Sequence, residues 1–285
     1  MNTIKIGGVP EHFNLPWHIC IEEGKFKDQN INLVWQDFPG GTGAMCNALQ
    51  NKEIDVAIIL TEGIVKDIIA GNPSKIVQTY IETPLIWGIH VGTQSNYHSI
   101  NDLQHTKAAI SRYGSGSHLM AYVNAQQQHW DTENLKFEVI GNLDGAIKSL
   151  TDGTSDYFMW EHFTTKPLVD NGTFRRVADC PTPWPCFIIA VREEVLNNQP
   201  ETIQKLLQII NTETENFKQK ENIAGLLAKR YEQKVDDIKK WLQLTEWSQQ
   251  QINLNTLNNV QNQLFKLNII DTKIDSKDLV FSFQN

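Results

Sequence analysis

Apolar and polar positions along the chain alternate between two periods. Residues 4–9 (IKIGGV) form a short apolar run of strand type, and residues 15–26 (LPWHICIEEGKF) carry apolar side chains at helical spacing up to a stop at Gly24. Residues 31–38 (INLVWQDF) alternate as a strand, 41–52 read as a helix, 54–60 (IDVAIIL) as a buried strand, and 62–71 as a helix ending at Gly71. Regular alternation of strand and helix predicts a mainly parallel sheet covered on both faces.

The pattern then crosses Pro84 and starts again. Strand-like runs at 85–91, 107–111, 136–141, 156–161 and 173–180 are separated by helical stretches over about 117–129 and 143–153 and by a further helix after 161. A strand returns in 185–194 (PCFIIAVREE), and from Gln199 onward the apolar positions, such as Ile203, Leu206, Leu207 and Ile210, keep helical spacing. The second series therefore reads as an insertion into the first. The expected lobes are 1–84 plus 187–285, and 85–186, with the crossings at Pro84 and Pro185. An internal repeat supports this, because ALQNKEIDVAII (48–59) and SLTDGTSDYFMW (149–160) both set a helix end, a polar turn and an Asp at the opening of an apolar strand. Ligands of open α/β sheets bind beyond the carboxyl ends of the strands, so a cleft between the lobes is the expected site.

Composition narrows the function. With 25 basic and 33 acidic residues the net charge is −8 and no basic stripe forms, which argues against nucleic acid. Apolar runs are broken by charge before they reach the length of a membrane span. The start MNTIKIGGVPEHF enters a strand directly, without a basic segment, apolar stretch and cleavage site in series. A cytoplasmic location is expected, or a periplasmic or cell-surface one if a leader was removed. Four cysteines are too dispersed for a disulfide scaffold, and the Cys180/Cys186 spacing in CPTPWPC suits neither redox nor zinc chemistry, so both are expected to be packing or hinge thiols. The eight histidines form no H-x-x-x-H or H-E-x-x-H pattern, and no metal is expected.

Five segments resemble, in order and spacing, the type II periplasmic binding proteins: 22–35 (EEGKFKDQNINLVW), 48–59, 70–78 (AGNPSKIVQ), 99–117 (SINDLQHTKAAISRYGSGS) and 146–161 (AIKSLTDGTSDYFMWE). The branch they resemble is the nitrate, sulfonate, taurine and thiamine-pyrimidine binding group, which includes the fungal pyrimidine synthases. The resemblance spans roughly residues 4–220. It implies a two-lobed α/β fold that closes on a small molecule, as an ABC-transporter substrate-binding protein does, with an ABC permease as partner if the chain is exported. The transport members carry leaders or lipid anchors, and the pyrimidine synthases carry a cysteine-rich stretch where CPTPWPC stands here.

Candidate ligand residues sit in loops after the strands. The first loop (PEHFNLPWH) offers Glu11, His12 and Phe13, with Asn14 as a helix cap; the second (FPGGTGA) offers Gly40, Gly41 and Thr42; the third (ILTEGI) offers Thr61 as a cap and Glu62 in a first helical turn. In the inserted lobe, YGSGSH places Tyr113, Ser115, Gly116, Ser117 and His118 at a helix start that resembles an anion nest. It lacks the Lys-Ser/Thr of a Walker loop and the third glycine of a dinucleotide fingerprint, so neither ATP, NAD nor another cofactor is indicated. Trp160 and Glu161 offer a ring and a carboxylate, and Trp87 and Trp184 are placed to wall the cleft beside the crossings. Arg112 is the one basic residue flanking these motifs, so a bare oxyanion is poorly served and a small amphoteric or heteroaromatic ligand is expected.

No nucleophile, base and orienting partner are spelled out together, so no catalytic residue is assigned. Two alternatives remain. One is a cytoplasmic enzyme on the same scaffold, pyrimidine-synthase-like or a cofactor-biosynthetic lyase, using Glu11, His12, His118, Glu161 and His162 as acid/base groups. The other is a cytoplasmic ligand sensor.

Overall fold

The structure, a computed structural model, describes residues 1–283. The chain divides into two compact units, residues 1–83 with 184–285, and residues 84–183. The division differs slightly from the expected one. Trp184, Pro185 and Cys186 go with the first unit, because Cys186 donates its amide to Thr83 O and its carbonyl accepts from Thr61 N. The tie to strand-end backbone outweighs the proline as the place where the chain changes unit.

Unit 1 is built from β1 (Asn2–Gly8), α1 (Leu15–Glu22), α2 (Lys25–Asp28), β2 (Ile31–Asp37), α3 (Gly41–Gln50), β3 (Val56–Leu60), α4 (Thr61–Ile69) and β4 (Ser74–Ile81). The stop expected at Gly24 separates α1 from α2, and its φ of +75° is a conformation that favours glycine. Unit 2 follows with β5 (Ile86–Gly92), β6 (Lys107–Ile110), α5 (Gly116–Gln127), β7 (Lys136–Val139), α6 (Leu143–Asp152), β8 (Tyr157–Glu161), α7 (Lys166–Asp170) and β9 (Phe174–Pro181). The chain re-enters unit 1 through β10 (Phe187–Arg192), then α8 (Glu193–Asn198), α9 (Pro200–Asn216), α10 (Ile223–Arg230), α11 (Val235–Leu244) and α12 (Leu254–Lys266). Residues 200–266 are largely helical, as the spacing after Gln199 predicts, whereas past α12 the described chain is mostly irregular, and Val280 forms an isolated bridge with Ile76.

The sheet of unit 1 has the order β2-β1-β3-β10-β4, and that of unit 2 the order β7-β6-β8-β5-β9. Each is parallel except for one strand: β10 runs antiparallel to β3 and β4, and β5 antiparallel to β8 and β9. Each antiparallel strand is one that enters its sheet directly from the other unit, without the helix that a parallel crossover needs. The strand β3 is uniformly apolar and almost wholly buried, as residues 54–60 predict, and β10 is buried throughout and apolar up to Arg192 at its end.

The internal repeat has a structural explanation. Asp55 accepts from the amide of Lys5 at 2.8 Å while its own amide donates to Lys5 O at 2.7 Å. Asp156 repeats this on Lys107, at 2.7 and 2.9 Å. In each unit the aspartate at the mouth of a strand locks the register of the neighbouring parallel strand, so the motif belongs to the sheet and carries no ligand chemistry.

Candidate functional site

In unit 1 the carboxyl ends of β1, β2 and β3 lie along one edge of the sheet, and the loops that follow them carry the predicted residues. After β1 the chain makes a short 3-10 turn, His12–Asn14. His12 is 1 % exposed and packs edge-on against Trp241 of α11 and face-on against Phe13, with ring centroids 4.3 and 4.9 Å apart. Burial pushes its pKa down to about 3, so the ring is neutral, and its Nε2 has no hydrogen-bond partner among the described residues. Phe13 touches the ring of Phe187 on β10 at 5.1 Å and its carbonyl accepts from Tyr80 Oη at 2.8 Å. Glu11 lies half-buried at the turn, its amide on Val9 O. Asn14 precedes α1 but does not cap it with its side chain, which donates to Val9 O at 2.8 Å and closes the loop.

After β2, Gly41 takes a φ of +67°, whereas Gly40 is right-handed and would set a Cβ 3.1 Å from that of Ala44. Only Gly41 is therefore required by its own conformation. Thr42 packs on Gly63 so closely that a Cβ there would lie 2.2 Å from the Thr42 methyl. This contact joins the starts of α3 and α4.

After β3, Thr61 is the first residue of α4; the expected cap is not made, and its hydroxyl donates to Pro185 O at 2.6 Å. That bond ties α4 to the returning chain. Glu62 is 2 % exposed; Oε2 accepts from Trp184 Nε1 at 2.8 Å, and Oε1 has no partner among the described residues. Burial raises its pKa to about 7, with its own backbone N–H and the indole N–H pulling the other way. Trp184, expected as a cleft wall, is thus the brace of a buried carboxyl group.

In unit 2 the loop after β6 leads into α5. Ser115 is the N-cap, accepting from His118 N at 3.3 Å, while Ser117 Oγ accepts from Ser111 N at 3.0 Å and lies 3.1 Å from Ser115 Oγ. Both hydroxyls are spent largely on the loop itself, so the anion nest is weaker than its sequence suggests. Helix α5 starts at Gly116, one residue before the expected point, because Ser115 supplies the cap. His118 accepts from Gly114 N through Nδ1 and meets the exposed Tyr113 ring edge-on at 5.3 Å.

Trp160 and Glu161 do not act as a pair. They are successive residues of one strand and point to opposite faces: Trp160 stacks on Phe158 and packs on the core of Ala146, Leu150 and Phe174, whereas Glu161 turns back to accept from Thr164 N at 2.6 Å. Burial raises the Glu161 pKa, opposed by the Thr164 N–H. Its register partner is Trp87 on β5, which is 4 % exposed and whose Nε1 has no partner among the described residues.

Sequence reasoning missed a polar network in unit 2. Arg176 donates to His162 O at 2.6 Å and lies 2.6 Å from His162 Nε2, while His162 Nδ1 sits 2.8 Å from Asp179 Oδ1. Thr165 Oγ1 lies 2.9 Å from Nε2 of the fully buried His90, whose pKa falls to about 3 through burial and then the Arg176 charge. The antiparallel pairing of β5 with β9 sets His90 opposite Arg176, and nothing in the local sequence announces that register. His162 is thus held between Arg176 and Asp179.

All four cysteines are buried and form no disulfide, and burial pushes the Cys20 and Cys180 thiols up to about 12. Among the described residues no three of His, Cys, Asp or Glu converge as metal ligands, and no helix is long and apolar enough to cross a membrane. A pocket of about 390 Å³ in unit 1, lined by Thr79, Glu82, Glu246 and Trp247 among others, contains none of the predicted residues.

Residues 87–180 match the family model described as Ca3427-like PBP, for periplasmic binding protein. The CA3427 gene product of Candida albicans, described as exhibiting the generic periplasmic binding protein fold, superposes with a TM-score of 0.91 at 25% identity, covering 99% of this chain and 96% of its own. The chain has the periplasmic-binding-protein fold. It shares that fold with the alkanesulfonate-binding protein SsuA of Xanthomonas axonopodis pv. citri, with a TM-score of 0.82, 13% identity and 99% of both chains covered. The ligand-binding component of an ABC-type import system from Staphylococcus aureus has a TM-score of 0.78 at 15% identity, covering 99% of this chain and 97% of its own. No curated protein matches the sequence.

Proposed function

We propose that the chain is a non-catalytic small-molecule-binding protein of the substrate-binding type. The observation that carries this reading is that, of the buried polar atoms without a hydrogen-bond partner among the described residues, some lie at strand ends: Glu62 Oε1 and His12 Nε2 in unit 1, and Trp87 Nε1 in unit 2. Unfilled buried polar groups are costly and rare. Here they fall where open α/β sheets receive ligands, in a fold shared with ligand-binding components of ABC import systems. The acidic character of Glu62 suits a small amphoteric or heteroaromatic molecule that carries an N–H group.

The proposal includes movement of the two units about the crossings at Thr83–Pro84 and Pro183–Trp184 when ligand binds, and docking to an ABC permease where the chain is exported. Mass spectrometry of the small molecules released on denaturing the purified protein tests it. A stoichiometric compound that rebinds, raises the melting temperature by mass action and lowers the radius of gyration in X-ray scattering is expected. An empty protein that no small molecule stabilises would overturn it.

A further inference from the structure

A buried carboxyl group is uncommon without a cation beside it. Glu62 has a single neutral side-chain donor, the Trp184 indole, on one oxygen, and among the described residues its other oxygen has no hydrogen-bond partner. The elements packed on α4 offer no cation to it. Strand β3 has no charged residue, α3 has only the thiol of Cys46, and the one charge of β10, Arg192, is bound to Asp55 and Glu194 at the far end of the strand. Lys66 and Asp67 lie a turn further along α4, Asp67 accepting from Asn72; α12 has Lys266 in its last turn; and in residues 276–279 Lys277 and Asp278 complete the set. Among the described residues the influences that shift the Glu62 carboxyl are burial, then its own amide and Trp184, with no cation among them. Thr61, its neighbour, spends its hydroxyl on Pro185 O.

Two features favour the ionised form in spite of burial. Glu62 lies in the first turn of α4, where the helix field stabilises a negative charge, and the Trp184 N–H donates to it. What is missing at Oε1 is therefore a donor, and a charged one satisfies both the hydrogen bond and the uncompensated charge. We propose that Glu62, braced by Trp184, is the recognition carboxylate for a nitrogen cation, a protonated amine or amidine on a small organic ligand. This rests on the small-molecule-binding reading and narrows it: a sulfonate or other bare anion presented to Oε1 is repelled.

The test is thermal-shift titration of the whole chain with benzylamine and benzamidine against benzyl alcohol, benzamide and benzenesulfonate, at pH 6 and pH 8. The free Glu62 carboxyl titrates at about 7 and must be ionised to hold a cation, so the cationic probes are expected to bind about tenfold more tightly at pH 8 than at pH 6. Glu62→Gln, which keeps the shape of the side chain, should abolish both the preference for cations and its pH dependence. Trp184→Phe, which keeps the packing and removes the N–H, should move the midpoint of that dependence to higher pH. Stabilisation by the neutral probes or the sulfonate equal to that by the cations, or cation binding undiminished in Glu62→Gln, would overturn this proposal and leave the binding reading standing. Failure of every probe, whatever its charge, would count against both.

Discussion

Single side chains in unit 1 carry titrations opposite in sign. Glu62 ionises at about 7 in the folded chain, above its ordinary 4.5, so the folded state holds the proton more tightly than the unfolded one. Its stabilising effect is complete below pH 4.5 and is lost as pH rises through 7, a change on the order of 3 kcal/mol. Chemical denaturation of the ligand-free protein across pH 4 to 8 should show this decline, and Glu62→Gln should flatten it. His12 works the other way: its folded pKa is held near 3 by burial, so its contribution is present above pH 6.5 and is lost as pH falls toward 3. His12→Phe, which keeps a ring against Trp241, should make the protein more resistant to acid unfolding below pH 6; an unchanged acid transition would refute the role given to burial of this ring.

Among elements, the start of α6 shows how local sequence and tertiary backbone are joined. Asn142 caps the helix by accepting from Gly145 N at 3.0 Å, and a Cβ on Gly145 would lie only 1.8 Å from Ile140 O. The obstacle is backbone, which cannot swing aside as a side chain would. Gly145→Ala should therefore destabilise the protein by about 1–3 kcal/mol, although alanine is the better helix former. Denaturant titration gives the value, and a neutral or stabilising result would mean that the loop before α6 yields. Its neighbour in character, Gly41, is constrained by its own left-handed φ instead, so the two glycines are needed for different reasons.

For the molecule as a whole, the two crossings define how the chain is partitioned. In unit 2 the entering and leaving strands pair with each other, Ile86 opposite Pro181, so the ends of the inserted segment lie side by side within one sheet. A continuous segment with its own sheet, its own core around Phe158 and Phe174, and adjacent ends meets the conditions for folding alone. Residues 84–183 expressed by themselves should give a cooperative thermal transition and dispersed amide resonances. Unit 1, whose β10 must return between β3 and β4, should not fold from residues 1–83 alone. An unfolded 84–183 fragment would show that its sheet depends on unit 1.

Periodicity by itself determined the element order, the inserted series and the strand-end loops, because burial on one or two faces leaves a local mark of period 2 or 3.6 in the sequence. The helix at 41–50 and the buried strand at 56–60 were both legible for that reason. What only the tertiary structure decided is which polar groups face one another. Trp184 meets Glu62 across 122 residues of sequence, and His90 meets Arg176 across 86. Trp160 and Glu161, adjacent in sequence, are parted by the pleat of the strand. The aspartates of the repeat are each tied by the register to a neighbouring strand. Hydrogen-bond partners are chosen by strand pairing between distant segments, and that choice leaves no periodic trace in the residues on either side.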